Sequence, residues 1–204
     1  MRILSKTFVT ANGKKQHKCT VCGYIASNVT SIARPTSFKL SSTSYTYNAT
    51  VRTPSVTVKD STGKTLTKGT DYTVTYASGR KNAGTYKVTV TMKGNYSGTK
   101  VLYFKINPID ISNCKVSLST ATYTYNGTVR TPNVIVKNAN GTVLTKNTHY
   151  TVTYASGRKN AGTYKVTVKM KGNYSGTKTL TFKINPINIV NARLLFQQPH
   201  IHIT

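Results

Sequence analysis

The stretch TVTYASGRKNAGTYKVTV occupies residues 73–90 and recurs without a change at residues 151–168. Other strings recur on both sides of it at the same offset of 78 residues: MKGNYSGTK at 92–100 and 170–178, VRTP at 51–54 and 129–132, and FKINPI at 104–109 and 182–187. A unit of this length is too long for a solenoid repeat and fits a small independent domain. The sequence therefore predicts two tandem domains.

Apolar side chains alternate with Thr and Lys inside each copy. In TYKVTVTMKG, the apolar positions are Tyr86, Val88, Val90 and Met92, and the intervening positions are Thr or Lys. A period of two residues is typical of a half-buried strand, and no segment shows a convincing helical period. Short strands in fewer than 80 residues bury their apolar faces by packing one sheet on another. The predicted fold class is all-β, with a sandwich in each copy.

The repeat divides the chain into four predicted segments. These are an N-terminal segment with a Cys-x-x-Cys sequence at 1–36, a first repeat at 37–115, a second repeat at 116–190, and the truncated start of a third repeat or a tail at 191–204. Pro108 and Pro186 fall near the ends of the two copies, where a proline favours extended backbone. The linker between copies is therefore expected to be short and semi-rigid.

A family resemblance rests on two strings of the second copy and one near the N-terminus. YTYNGTVRTPNVIVKNANGTVL at 123–144 and HYTVTYASGRKNAGTYKVTVKMKGNYSGTKTLTFKINP at 149–186 resemble the immunoglobulin-like repeats of large secreted surface proteins in Gram-positive bacteria. GKKQHKCTVCGY at 13–24 is similar to the short Cys-containing segment found beside such repeats. The resemblance implies tandem immunoglobulin-like β-sandwich domains in an array that projects from the cell wall, and it supplies no catalytic residues.

The expected location is extracellular, at the bacterial cell surface or in the secreted fraction, as the resemblance implies. The first 15 residues lack the apolar core of a complete secretion signal. The sequence contains no run of about 18 apolar residues, so no transmembrane segment is predicted. We therefore expect a monomeric fragment of a larger surface protein, whose export signal lies elsewhere.

The charge is strongly one-sided, with 29 Lys and Arg residues against three acidic residues and a formal net charge of +26. Such a field attracts polyanions. It suits either a solvated, self-repelling surface that keeps an array soluble or a docking surface for an anionic cell-wall polymer or host glycan. No specific nucleic-acid partner is expected, because no helix-turn-helix, zinc-finger or RNA-binding motif is present.

The candidate anion-binding residues lie in the loops of both copies. They are Arg80, Lys81 and Tyr96 in the first copy and Arg158, Lys159 and Tyr174 in the second. The two tyrosines follow Gly-Asn beside lysines. Their rings are expected either to lie exposed, where they could stack on sugars or bases, or to tuck against the edge of the sandwich as corner residues.

His17, Cys19 and Cys22 form an incomplete metal-binding pattern. A structural zinc site needs about four ligands, and Cys114 is not a repeat feature. Three interpretations stay open: a truncated zinc-ribbon-like knuckle, a disulfide or redox pair, and no role in this chain. No cofactor is expected beyond possible zinc at Cys19 and Cys22.

The acidic residues argue against an enzyme. Hydrolytic acid–base catalysis usually needs paired carboxylates or a histidine with an orienting acid. Asp60, Asp71 and Asp110 are replaced by Asn138, His149 and Asn188 in the second copy. The predicted function is a structural spacer or adhesive repeat module of a bacterial cell-surface protein. The alternative is a binding module for anionic polysaccharide or a host ligand, through the basic surface.

Overall fold

The computed structural model describes residues 5–9, 14–19, 30–31 and 33–188. The chain divides between Asn107 and Pro108 into two compact units. Near the N-terminus, three strands form an antiparallel sheet in the order β1-β2-β3: β1 Ser5–Val9, β2 Lys14–Cys19 and β3 Thr30–Ser31.

The first repeat contains six strands in two sheets. They are β4 Pro35–Leu40, β5 Ser44–Thr46, β6 Val56–Asp60, β7 Tyr72–Tyr76, β8 Gly84–Met92 and β9 Thr99–Asn107. Four strands form one sheet in the order β5-β9-β8-β7, and β4 pairs with β6 in the other. All neighbours are antiparallel except β5 and β9, which run parallel from Ser44↔Lys105 to Thr46↔Asn107.

The second unit repeats this plan and adds a short junction. It contains β10 Ile109–Asp110, a 3-10 turn at Ile111–Asn113, β11 Lys115–Leu118, β12 Thr122–Thr124, β13 Val134–Lys137, β14 Tyr150–Tyr154, β15 Gly162–Met170, β16 Tyr174–Ser175 and β17 Thr177–Asn185. The four-stranded sheet has the order β12-β17-β15-β14, with β12 parallel to β17, and β11 pairs with β13. A further parallel pair joins β10 to β16.

Each repeat closes a core between its two sheets. In the first repeat, Val58 of β6 packs with Val88 and Val90 of β8 and with Phe104 of β9, and all four are at most 1% exposed. Residues at the corresponding positions of the second repeat are also buried: Val136, Val166, Val168 and Phe182. Packing the two-stranded sheet on the four-stranded sheet removes one apolar face of each strand from water.

The structure confirms the predicted all-β class and the predicted alternation. In β8, Val88, Val90 and Met92 point into the core, whereas Lys87 is exposed. Among the described residues the 3-10 turn at Ile111–Asn113 is the only helical element. No helix long and apolar enough to cross a membrane occurs in the part of the chain that the structure describes.

Candidate functional site

Two of the predicted binding residues are freely accessible and two are partly covered. Lys81 and Lys159 are exposed in the loops that precede β8 and β15. Arg80 and Arg158, their neighbours in sequence, are half-buried. The arginine side chains therefore belong partly to the folded body of each repeat, whereas the lysine side chains extend into solvent.

Neither of the predicted tyrosines is fully exposed. Tyr96 is half-buried against the first core, and burial raises the pKa of its hydroxyl, helped by Asp71 and Asp60. Tyr174 is only 8% exposed. The possibility that Tyr174 lies exposed as a stacking residue is therefore wrong, and the alternative of a residue tucked against the sandwich describes it better.

The burial of Tyr174 has a local cause in the junction between the repeats. Ile109 of β10 pairs in parallel with Tyr174 of β16, and the Ile109 N–H donates to the Asn173 carbonyl at 2.9 Å. Ile111 packs into the same cluster, and the His149 ring meets the Tyr174 ring edge-on at 5.6 Å. These contacts cover the tyrosine on several sides.

The loop that carries Arg80 is closed by a tyrosine. The Tyr86 hydroxyl lies 2.8 Å from both the Gly79 and the Asn82 carbonyl oxygens, and its single proton is donated to one of them at a time. Tyr164 repeats the arrangement in the second copy, with Gly157 and Asn160. The tyrosine hydroxyl therefore holds the backbone of each loop in place.

Arg80 lies over the ring of Tyr76, with the guanidinium carbon 5.2 Å from the ring centroid. Its Nη1 donates to the Ala77 carbonyl at 2.9 Å. The Tyr76 hydroxyl donates to the Pro54 carbonyl at 2.7 Å. Burial raises the pKa of Tyr76, and the Arg80 cation partly offsets this. A cation at this distance is attracted to the ring face, which helps to hold the guanidinium group beside Tyr76.

A second arginine, absent from the predicted set, completes the site. The guanidinium carbon of Arg52 lies 4.9 Å from the centroid of the Tyr45 ring. The Arg52 backbone N–H donates to the Arg80 carbonyl at 3.0 Å, so the two arginines are adjacent in space although 28 positions apart in sequence. We call Arg52 and Arg80 the arginine pair of the first repeat.

The second repeat builds a similar arrangement, in which Arg158 Nη1 donates to the Ala155 carbonyl at 2.8 Å and Arg130 Nη2 donates in addition to the Thr124 carbonyl at 3.3 Å. Its arginine pair consists of Arg130 and Arg158, and the Arg130 N–H donates to the Arg158 carbonyl at 3.0 Å. Arg130 lies 5.0 Å from the Tyr123 centroid and Arg158 lies 5.2 Å from the Tyr154 centroid. The signal that could have identified Arg52 and Arg130 was the unchanged VRTP string, which marked the repeat without indicating a role for its arginine.

No acidic side chain pairs with the arginine pairs in the part of the chain that the structure describes. The chain holds only three acidic side chains, and each accepts hydrogen bonds in its own turn. Asp60 accepts from Thr62 and Lys64, Asp71 from the Thr67 N–H, and Asp110 from the Ser112 N–H. Among the described residues, the Nε atoms of all four arginines are buried and have no hydrogen-bond partner: Arg52, Arg80, Arg130 and Arg158.

The predicted metal pattern falls largely outside the described residues. The backbone of His17 and Cys19 lies in β2, nothing is described of their side chains, and Cys22 lies outside the described residues altogether. Cys114 is 5% exposed in the second core, and burial raises the pKa of its thiol. In the part of the chain that is described, no three His, Cys, Asp or Glu side chains converge on a metal site. Zinc at Cys19 and Cys22 stays a prediction.

Part of the first repeat and its surroundings matches a known domain family. Residues 34–101, a third of the chain, match the MBG domain, a non-catalytic repeat-type domain found in bacterial surface proteins. The match covers β4 to β8 and both members of the first arginine pair. No curated protein matches the sequence.

Proposed function

We propose that this chain is a spacer module of a bacterial cell-surface protein, built from tandem immunoglobulin-like sandwiches that carry tension along the chain, and that it is not an enzyme. The MBG match at residues 34–101 supports the surface-protein class. The finer assignment, to the immunoglobulin-like repeats of large secreted Gram-positive surface proteins, is supported by the sequence resemblance alone. The module then works outside the cell, between other parts of a longer polypeptide.

One observation carries the mechanical role. In the first repeat, β5 lies near the N-terminal end, β9 lies at the C-terminal end, and the two strands pair in parallel. Tension along the chain pulls such strands in opposite directions, so it slides one strand along the other. All of their hydrogen bonds are then loaded together, whereas a pair pulled apart from one end would lose them one at a time.

The hydrogen bonds that resist this sliding extend beyond the strands themselves. The Lys105 N–H donates to the Thr43 carbonyl at 2.9 Å, and the Tyr47 N–H donates to the Asn107 carbonyl at 2.8 Å. β12 and β17 form the same parallel pair in the second repeat, where the Tyr125 N–H donates to the Asn185 carbonyl at 2.8 Å. Both repeats therefore present the same shear geometry to a stretched chain.

Single-molecule pulling on the full chain tests the proposal. Attachment at the two chain ends should give two abrupt unfolding events at similar force, each releasing roughly 25 nm of chain, as expected for 78 residues of extended backbone. Pulling from Thr62→Cys and Ser78→Cys attachment points, which are exposed and lie outside β5 and β9, leaves the β5–β9 pair outside the chain segment under tension and should unfold the first repeat at lower force. Smooth extension without force peaks would contradict the spacer role.

A further inference from the structure

We infer that each repeat carries an oxyanion-binding site formed by its arginine pair, and that the ligand is an acidic polysaccharide that offers carboxylate or sulfate groups. The site is Arg52 with Arg80 in the first repeat and Arg130 with Arg158 in the second. This inference goes beyond the spacer role, because a module can carry tension without binding a glycan and can bind a glycan without carrying tension.

The guanidinium groups of the arginine pair hold many N–H donors that are not used in hydrogen bonds to the described residues. A guanidinium group carries N–H donors on three nitrogens in a fixed fork. In the first pair, the only hydrogen bond from a guanidinium to the described residues is the one from Arg80 Nη1 to the Ala77 carbonyl. Most donors of Arg52 and Arg80 therefore have no acceptor among the described residues, and an oxyanion would supply acceptors for them.

The guanidinium groups of Arg52 and Arg80 are partly shielded from water in the folded repeat. The Nε atoms of Arg52 and Arg80 are shielded from solvent, and one face of each guanidinium is covered by a tyrosine ring. Folding has therefore already removed part of the hydration shell that an anion must displace. Attraction between the remaining exposed guanidinium edge and an anion is stronger in this environment than at a fully hydrated lysine.

The fold holds the two arginines in place before any ligand binds. The Arg52 N–H to Arg80 carbonyl bond fixes the two backbones against each other, and the Tyr86 hydroxyl closes the Arg80 loop. Binding then requires little additional ordering of these side chains, which lowers the entropic cost of binding. The exposed Lys81, by contrast, would have to be ordered by the ligand.

The geometry favours a polysaccharide over a nucleic acid. Single-stranded nucleic acids bind by stacking bases on free aromatic faces, whereas Tyr45 and Tyr76 are each covered by a guanidinium group. Beside the pair, Val51 is 58% exposed, and Val129 is exposed to the same degree in the second repeat. An apolar side chain next to an anion-binding group suits the C–H face of a sugar ring.

Titration calorimetry with three polymers tests the inference on the full chain. Polygalacturonate offers carboxylates, heparin offers sulfates in addition, and dextran is the neutral control. Binding of at least one acidic polymer is expected, and its affinity should fall between about 50 and 200 mM salt. The two acidic polymers show which oxyanion the site prefers. Absence of binding to both at low salt would overturn the inference.

A charge-matched pair of variants separates a built site from diffuse attraction. In the site variant, Arg52, Arg80, Arg130 and Arg158 are changed to Gln. In the control variant, the exposed Lys93, Lys100, Lys171 and Lys178, which lie toward the other end of the long strands, are changed to Gln. The affinity of the site variant should be about tenfold lower or more, because at least one charge-assisted hydrogen bond to the ligand is lost. The control should lose no more than about threefold. Equal losses would overturn the inference.

A measurement on the unaltered protein covers the case in which the arginine variants unfold. Arginine Nε–H signals can be followed by NMR while polygalacturonate or heparin is added. The signals of the four pair arginines should shift before that of Arg34. Uniform shifts across all arginines, or larger shifts with a single-stranded oligonucleotide than with either polysaccharide, would contradict the proposed ligand.

Discussion

A methyl group placed on Gly176 would bring its carbon to 2.8 Å from Cγ2 of Ile111, closer than real contacts of this kind allow. Gly176 also has φ +95°, a backbone conformation that favours glycine. The junction turn at Ile111–Asn113 therefore packs against the β16–β17 connection only because no side chain is present at position 176. This close approach ties the junction segment to the second repeat.

Substitution Gly176→Ala should destabilise the second repeat through both effects. The matched control is Gly98→Ala, because Gly98 has φ +103° but no atom within 4 Å of the added carbon. Gly98→Ala should cost about 1–2 kcal/mol, and Gly176→Ala about 1–3 kcal/mol more, since overpacking adds to backbone strain. Hydrogen exchange measured separately on peptides of each repeat reports these changes. Equal costs would show that Ile111 does not press on Gly176 in solution.

Asp60 should make the stability of the first repeat depend on pH. Its side chain accepts hydrogen bonds from Thr62 and Lys64, and the Thr62 hydroxyl contributes most to lowering the pKa of Asp60. A carboxyl whose pKa is lowered by folding stabilises the folded state above its unfolded pKa, and this contribution is lost as pH falls through the folded pKa.

The variant Asp60→Asn isolates that contribution. Asn138 accepts the corresponding backbone hydrogen bonds in the second repeat, from the Asn140 and Thr142 N–H groups, so the substitution should preserve the turn. The difference in stability between the original chain and Asp60→Asn should therefore shrink below about pH 4. Hydrogen exchange of peptides that contain Val58 measures it. A difference that stays constant from neutral to acid pH would rule out the linkage.

Tyr86→Phe should loosen the Arg80 loop without unfolding the sandwich. The substitution removes the hydroxyl that lies 2.8 Å from the Gly79 and Asn82 carbonyls, and we expect a cost of about 1 kcal/mol. Faster amide exchange should be confined to residues 77–83. Tyr103→Phe is the control, because Tyr103 is 59% exposed. If both variants behave alike, the Tyr86 hydroxyl does not hold the loop.

Cys114 should react slowly with thiol reagents. The side chain is 5% exposed, and burial, followed by the charge of Asp110, raises the pKa of its thiol, so little reactive thiolate forms near neutral pH. In a Cys19→Ser, Cys22→Ser variant, alkylation followed by mass spectrometry should show slow modification that becomes rapid in denaturant. Rapid modification of the folded variant would mean that the second core opens readily.

Features set by local sequence pattern could be predicted from the sequence. The alternation around Val88 and Phe104 predicts which face is buried, because successive strand residues point to opposite sides. The repeat offset then carries the same prediction to Val166 and Phe182. These predictions needed no knowledge of which strand neighbours which.

Features that depend on distant parts of the chain could not be predicted in this way. Arg52 lies beside Arg80 only because the segment before β6 crosses the loop before β8. Its cation–π contact with Tyr45 follows no periodic pattern in the sequence that could have predicted it. Tyr174 is buried by Ile109 and Ile111, which come from the junction. In the sequence it looks the same as Tyr96, which is half-buried.

The central claim is that each repeat closes its own core and bears load as a separate unit. Pulling the full chain with Phe104→Ala tests it directly, because Phe104 is 1% exposed in the first core and its loss should cost about 3–5 kcal/mol. One of the two unfolding events should move to lower force while the other keeps the force seen in the unaltered chain. A shift of both events, or their merger into one, would contradict the account.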